Sequence, residues 1–226
     1  MGNSPKTSVQ KEGWPEYLFK KNHVGVSLYV HFPFCSQKCR YCDFNSYAYQ
    51  GQNQKEYLDA MLQEAKSRAR DLRPKTVFFG GGTPSLIEPS LLKYFFKELN
   101  KICFYQESAH EITIEANPET LNSDFAITCL EQKINRVSIG FQSIRDEILL
   151  AYDRTHRGND ALRAFEVARL SGFENINIDL IYAFPGQNLQ EWLTDLKEVC
   201  DLGPNHISCY ELSYEPGTLL TKQKNQ

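Results

Sequence analysis

Six short runs of apolar, β-branched and aromatic residues punctuate the chain, at 26–32, 76–79, 111–115, 136–141, 175–182 and 206–212. Runs of this length and composition predict strands. The one at 76–79 is apolar on both faces, as an interior strand of a parallel sheet is. Between the runs the hydrophobic period changes to three or four residues, which predicts helices over 53–73, 85–102, 122–133, 146–152, 159–170 and 189–202. Leu91, Leu92, Phe95, Phe96 and Leu99 form the clearest buried stripe, and Pro74, Ser171-Gly172 and Gly203-Pro204 punctuate helix ends. Strands alternating with helices predict repeated βα units, hence an α/β fold with a parallel sheet covered by helices. No repeat or linker divides it. One core domain is expected over 23–218, between a polar N-terminal arm at 1–22 and a polar tail at 219–226.

At 226 residues the chain is long enough for one sizeable α/β domain. It carries 25 Lys and Arg against 28 Asp and Glu, a formal charge of −3, with no basic block. Nucleic acid therefore finds no electrostatic footprint here. No uninterrupted apolar stretch approaches a membrane span, and residues 1–6 contain no apolar signal core. A soluble, cytoplasmic protein is the expectation. Seven cysteines are present, and Cys103, Cys129, Cys200 and Cys209 fall one per segment. That scatter is no disulfide framework; the four read as core or near-surface thiols.

The other three cysteines, Cys35, Cys39 and Cys42, lie within eight residues, just after the first strand is broken by Pro33. That places them on a loop at a strand tip. Several readings fit the spacing: a buried stripe on one helix face, a zinc site completed from elsewhere, disulfides, or a [4Fe–4S] cluster. Four thiolates close a metal site, whereas three leave one iron of a cluster free to bind something else.

Ligands of parallel α/β folds sit at the carboxyl ends of the strands. Here the second strand ends in Gly80-Gly81-Gly82-Thr83-Pro84 and the third in Glu115. The fourth ends in Gln142-Ser143, the fifth carries Asp179, and the sixth reaches Ser213. Singly, each has a plain reading: a tight turn, a cap, a surface ion pair, and for Arg154 a helix-end cation. Asp179 resists it, because it lies among Ile178, Leu180 and Ile181, and a buried carboxylate needs a partner. Gathered at one sheet edge, these residues predict a site for a polar, zwitterionic ligand beside a metal cluster.

With those residues in place, the chain resembles radical S-adenosyl-L-methionine proteins. Within them it resembles the group containing the oxygen-independent coproporphyrinogen III oxidases and the heme chaperone HemW. The resemblance is carried by Cys35/Cys39/Cys42 with Asp43-Phe44, Gly80 to Ser85, Glu115 to Pro118, and Arg136 to Ser143. Asn177 to Tyr182, Pro185 to Gln187, His206 to Ser208 and Glu215 to Thr218 complete the ordered set, which covers about 24–218. It implies a partial (β/α)6 barrel and a [4Fe–4S] cluster on the three cysteines. The cluster's free iron would be chelated by S-adenosyl-L-methionine, whose cleavage yields a 5′-deoxyadenosyl radical. By position, the cofactor contacts implied are Tyr29, Tyr41, Gly81, Gly82, Thr83, Glu115, Gln142, Arg154 and Asp179, with Ser213 a looser match. A glycine-loop carbonyl and Glu115 suit an ammonium, Arg154 a carboxylate, Asp179 or Gln142 ribose hydroxyls, and the Tyr41 ring adenine.

The oxidases resembled here carry a further cysteine where this chain has Phe44, and a longer lead-in than this arm. Both departures point to the HemW-like branch, whose members bind heme and deliver it to acceptor proteins; porphyrinogen oxidation is the alternative. A reducing electron donor is implied in either case. Family members continue past the sixth strand into a C-terminal domain, whereas this sequence stops at Gln226, so a truncated member is expected. No axial heme ligand is nominated: His23, His31, His110, His156 and His206 each read as structural or exposed.

Overall fold

The structure, a computed structural model, describes residues 26–224; the arm expected at 1–22 lies outside them. The expected strands form β1 (Ser27–Phe32), β4 (Thr76–Gly81), β5 (Glu111–Ala116), β6 (Arg136–Gln142), β7 (Asn175–Tyr182) and β8 (His206–Glu211). They make one six-stranded sheet in the order β1-β4-β5-β6-β7-β8, parallel throughout. Parallel neighbours require crossovers. Helices α1 (Gln54–Arg68), α2 (Pro89–Cys103), α4 (Ser123–Glu131), α6 (Gly158–Ser171) and α7 (Leu189–Asp201) supply them. Two short helices, α3 (Tyr105–Ser108) and α5 (Asp146–Ala151), lie in the connections. Asn53, Asn122 and Asn188 start α1, α4 and α7 by accepting a backbone N–H three residues on, as N-cap residues do.

Two helix boundaries differ from the periodicity for identifiable reasons. The stretch expected as one helix from residue 85 opens instead with a 3₁₀ turn at Pro84–Leu86, and α2 begins at Pro89. Proline pushes the preceding residue out of helical space, and Glu88 is extended accordingly. Helix α1 ends at Arg68, before Asp71 turns left-handed. The polar tail expected from residue 219 contains a further helix, α8 (Leu219–Lys224), anchored by buried Leu220 and by a Leu220 N–H to Arg40 carbonyl hydrogen bond. A two-stranded pair, β2 (Phe34–Cys35) with β3 (Tyr47–Ala48), brackets the cysteine loop.

The sheet has two chemically different faces. Val77, Phe79, Ile112, Ile114, Val137, Ile139, Ile176 and Ile178 are buried on one. There they join Leu92, Phe95, Phe96 and Leu99 of α2 in the main core, each such side chain worth about 1.5–3 kcal/mol by burial. The alternate positions are polar and fall in register. Glu115, Ser138, Asn177 and His206 form one row, and Gly140, Asp179 and Ser208 the next. Phe78 of β4 and Tyr210 of β8 line the same cavity. Four strand spacings on a flat sheet would separate them by about 19 Å. The sheet therefore curves around its polar face, as a partial barrel does.

Candidate functional site

That polar face and the loops at its carboxyl end enclose a cavity of about 500 Å³. Cys35, Cys39 and Cys42 form one wall. Cys35 is buried, and burial pushes its thiol up; a Thr83 hydrogen bond draws it down, while Cys42 and Cys39 nearby push it further up. The loop is held from both ends. Tyr47 N–H and Tyr49 N–H donate to the carbonyls of Pro33 and Cys35 at 2.8 and 2.7 Å, and Lys38 Nζ donates to the carbonyls of Phe44 and Ser46 at 3.0 Å each. Among the described residues, no three His, Cys, Asp or Glu side chains converge closely enough to hold a single metal ion. All seven cysteines are free thiols. Burial pushes Cys103 up to about 12 and raises Cys129 strongly; both are core groups behind α2 and α4.

The glycine loop forms the adjoining wall, and its lack of side chains answers to the chain's own packing. A Cβ on Gly82 would stand 2.7 Å from the Phe34 carbonyl oxygen and from Pro33 carbon. One on Gly81 would meet the Phe32 carbonyl at 2.7 Å, and one on Gly80 the Glu115 Oε2 at the same distance. Strand β4 thus presses directly on the loop that bears the thiols. Gly82 N–H and Thr83 N–H fasten the two, donating to the carbonyls of Phe32 and Phe34 at 2.7 and 2.8 Å.

Glu115 accepts the Gly81 N–H at 2.9 Å. Burial is the larger influence and raises its carboxyl from an ordinary 4.5 to about 7, the Gly81 N–H opposing and Asp179 reinforcing. Both oxygens of Asp179 are held: Ser138 Oγ donates to one and Asn177 Nδ2 to the other, each at 2.8 Å. Asn177 is itself fixed by His206 and Ser208. Gln142 closes the row in a left-handed conformation, φ 65°, where a bulge shifts the register after Gly140. Backbone strain of this kind re-aims a side chain, and the Gln142 amide lies against Gly140 on the cavity wall.

Arg154 is 9 % exposed beneath the cysteine loop. Its Nη1 donates to Cys39 Sγ at 3.4 Å, and its Nη2 to Asn117 Oδ1 and the Gly140 carbonyl at 3.0 Å each. Its Nε is buried without a hydrogen-bond partner. Tyr41 lines the cavity and also touches the small apolar cluster of Tyr152, Ile181, Phe184, Leu212 and Leu220. Burial raises its phenol far above the ordinary value, Arg154 drawing it down and Cys39 pushing it up. Thr83, buried, and Ser213 also lie on the wall. Tyr29 does not. It is 58 % exposed on the edge strand, bonded to His31 and stacked on Phe78, which does line the cavity.

A family comparison decides what this arrangement belongs to: the radical SAM superfamily matches residues 29–199. The chain belongs to the radical SAM superfamily. It is 38% identical to the heme chaperone HemW of Haemophilus influenzae over 202 residues, 86% of this chain and 52% of that protein. To the mitochondrial radical S-adenosyl methionine domain-containing protein 1 of Mus musculus it is 35% identical, over 89% of this chain and 46% of the relative. The chain thus spans about half the length of the curated relatives it matches. Among solved structures, coproporphyrinogen III oxidase (HemN) from Escherichia coli, a radical SAM enzyme, superposes with a TM-score of 0.78 at 29% identity, over 88% of this chain and 46% of that one. The resemblance to HemW is thus the stronger of the two in sequence. Among the described residues, no helix is long and apolar enough to cross a membrane.

Residues that the strand-tip reading did not reach complete the surroundings of the cavity. Ser138 and Asn177 orient Asp179, while Asn117, Glu119 and His156 surround Arg154. The period-2 polar pattern of Glu111-x-Thr113-x-Glu115, Arg136-x-Ser138-x-Gly140 and Asn175-x-Asn177-x-Asp179 marks the inner face and points to the first two. Glu119 lies beyond the strand end in a segment without periodicity. The residue is exposed overall, yet its side chain is only 20 % accessible and turns inward. Burial pushes its carboxyl up, but His156 at 3.7 Å, the Thr155 hydrogen bond and the Arg154 charge outweigh this and bring it down to about 2.

Proposed function

We propose that this chain is the cofactor-binding core of a HemW-like heme chaperone, acting in the cytoplasm. It would hold a [4Fe–4S] cluster on Cys35, Cys39 and Cys42, and S-adenosyl-L-methionine on the facing wall. Heme would be received and passed to an acceptor protein. The observation that carries the reading is the convergence, on one cavity, of the three thiols with Glu115, Gln142, Arg154 and Asp179. The donor set fits a zwitterionic nucleoside. Arg154 has a buried N–H without an acceptor, which suits a carboxylate. Glu115, poised near neutrality, suits an ammonium together with a carbonyl of Gly81, Gly82 or Thr83. Asp179, aimed by Ser138 and Asn177, and strained Gln142 suit ribose hydroxyls, with Ser213 on the same wall; the Tyr41 ring offers a face to adenine. Tyr29 would contribute through the Phe78 stack rather than by contact. When bound and reduced by an electron donor, the cluster supplies the electron that opens the sulfonium carbon–sulfur bond. The curved polar face keeps its own groups hydrogen-bonded, so the wall holds its shape as the ligand enters.

Identity favours the chaperone over the oxidase, and so does Phe44, exposed at the cavity mouth, where the oxidases resembled above have cysteine. The test is anaerobic reconstitution followed by iron analysis, heme titration, and incubation with S-adenosyl-L-methionine, reductant and coproporphyrinogen III. About four irons per chain, heme uptake and no protoporphyrinogen are expected. Protoporphyrinogen formation would establish the oxidase instead, and zinc without iron would dismiss the cluster.

A further inference from the structure

The cysteine loop rests on a shelf, residues 152–156, where Gln37 Nε2 donates to the Asp153 carbonyl at 3.3 Å and Arg154 reaches Cys39, and two further ties hold it. One tie is Arg40: its Nε donates to Asp153 Oδ2 at 2.7 Å and its backbone N–H to the Tyr152 carbonyl at 3.4 Å. The other runs through Glu119, which comes from the exit of β5. Its Oε1 accepts from Ser36 Oγ at 3.2 Å, Asn117 Nδ2 at 3.2 Å and Thr155 Oγ1 at 2.6 Å, while Oε2 lies 3.7 Å from His156 Nδ1. Ser36 directly follows Cys35, and Thr155 directly follows Arg154, whose guanidinium touches Cys39. One carboxylate therefore joins three loops at the point where the thiols are displayed. It is also the anion that faces the buried Arg154 charge from the β5 side; Asp153, the other carboxylate on the shelf, is turned to Arg40.

We propose that Glu119 is a positioning residue for the cluster: its carboxylate clamps the cysteine loop to the 152–156 shelf and supplies the counter-charge to Arg154 at Cys39. The proposal rests on the cluster reading above. An amide at 119 keeps the side chain's shape and one acceptor oxygen but loses the charge. Two effects then separate. Weaker acceptance from Ser36 and Thr155 loosens the loop, and an unbalanced Arg154 cation beside Cys39 makes adding an electron to the cluster easier.

The experiment compares wild type, Glu119→Gln and Ser36→Ala after anaerobic reconstitution. Iron per chain, the rate of iron loss to a chelator and the midpoint potential from an EPR-monitored titration are read. Glu119→Gln is expected to lose iron at least fivefold faster and to shift its midpoint to more positive potential. Ser36→Ala, at the solvent edge, is expected to lose iron faster with its potential unchanged. A potential shift in Glu119→Gln alone separates the charge from loosened packing. Wild-type iron retention and potential in Glu119→Gln, or a shift to more negative potential, overturns the proposal on its own. A wild-type chain that takes up no iron overturns the function above and this proposal with it.

Discussion

Replacing Glu115 by glutamine is expected to make the ligand-free protein more stable above neutral pH while weakening its hold on a cationic ligand. The unfolded chain ionises this carboxyl near the ordinary 4.5, but burial in the cavity wall holds the proton to about 7 in the folded state. A group raised on folding contributes stability that is complete below its unfolded value and is lost as pH rises through the folded one. At about 1.4 kcal/mol per pH unit, that loss is at most about 3 kcal/mol between pH 4.5 and 8. Solvent reaching the half-buried wall brings it to roughly 2 kcal/mol. The glutamine oxygen still accepts the Gly81 N–H, and the neutral amide carries no penalty for ionising.

Urea unfolding of both proteins, without cluster, at pH 5 and pH 8 and equal ionic strength gives the difference directly. The variant's advantage should grow by roughly 1–2 kcal/mol from the lower pH to the higher. A difference that stays flat, or grows in favour of wild type, refutes the argument about burial. The same residue predicts a ligand effect. Because an ammonium pairs with the ionised carboxylate, S-adenosyl-L-methionine should bind wild type more tightly as pH rises from 6 to 8, with proton release. The glutamine variant should bind weakly and without that dependence.

Three further substitutions probe the thiol wall and its surroundings. Cys39→Ala should abolish iron retention, whereas Cys129→Ala, in the α4 core, should retain wild-type iron and lose about 1–2 kcal/mol of stability; equal iron loss in both would mean the wrong thiols have been assigned. Gly82→Ala would place a carbon 2.7 Å from Phe34 and Pro33 backbone atoms, so the chain must shift at a cost of about 1–3 kcal/mol. Tm should fall by about 2–12 °C, and iron uptake with it; an unchanged Tm would show that the glycine loop does not press on the cysteine loop.

Much of the architecture is legible in the sequence because the six apolar runs sit between helices with a clear period and strong stops. Their order and parallel pairing follow from that alternation. Boundaries slipped where a local rule outweighs periodicity, as at Pro89, where proline excludes Glu88 from the helix. The two-residue strands β2 and β3 carry no pattern of their own and exist because the cysteine loop folds back on its base. At the site, strand-tip reasoning reached Glu115, Gln142 and Asp179, since polar residues interrupting apolar runs stand out. It could not reach Glu119, Asn117 or His156, whose roles depend on three loops meeting. Nor does the sequence reveal that Gly80, Gly81 and Gly82 make room for Glu115, Phe32 and Phe34 rather than for a ligand alone. Tyr29 sits on the expected strand beside the cavity wall, stacked on Phe78.

The two faces of the sheet divide the work of the fold. The outer face buries branched aliphatics against helices and carries the hydrophobic stabilisation. That lets the inner face be polar, provided its groups satisfy one another. They do so along a chain from His206 through Asn177 and Ser138 to Asp179, which fixes a carboxylate without needing a ligand. Arg154 and Glu115, both on the cavity wall, lie outside this hydrogen-bond chain. Arg154 keeps a buried N–H with no acceptor, and Glu115 retains its proton to about 7. An unpartnered cationic donor and a carboxyl that gives up its proton late are the two groups on this wall that the proposed zwitterionic guest would satisfy, and the Glu115 and Arg154 chemistry is where that proposal is open to test.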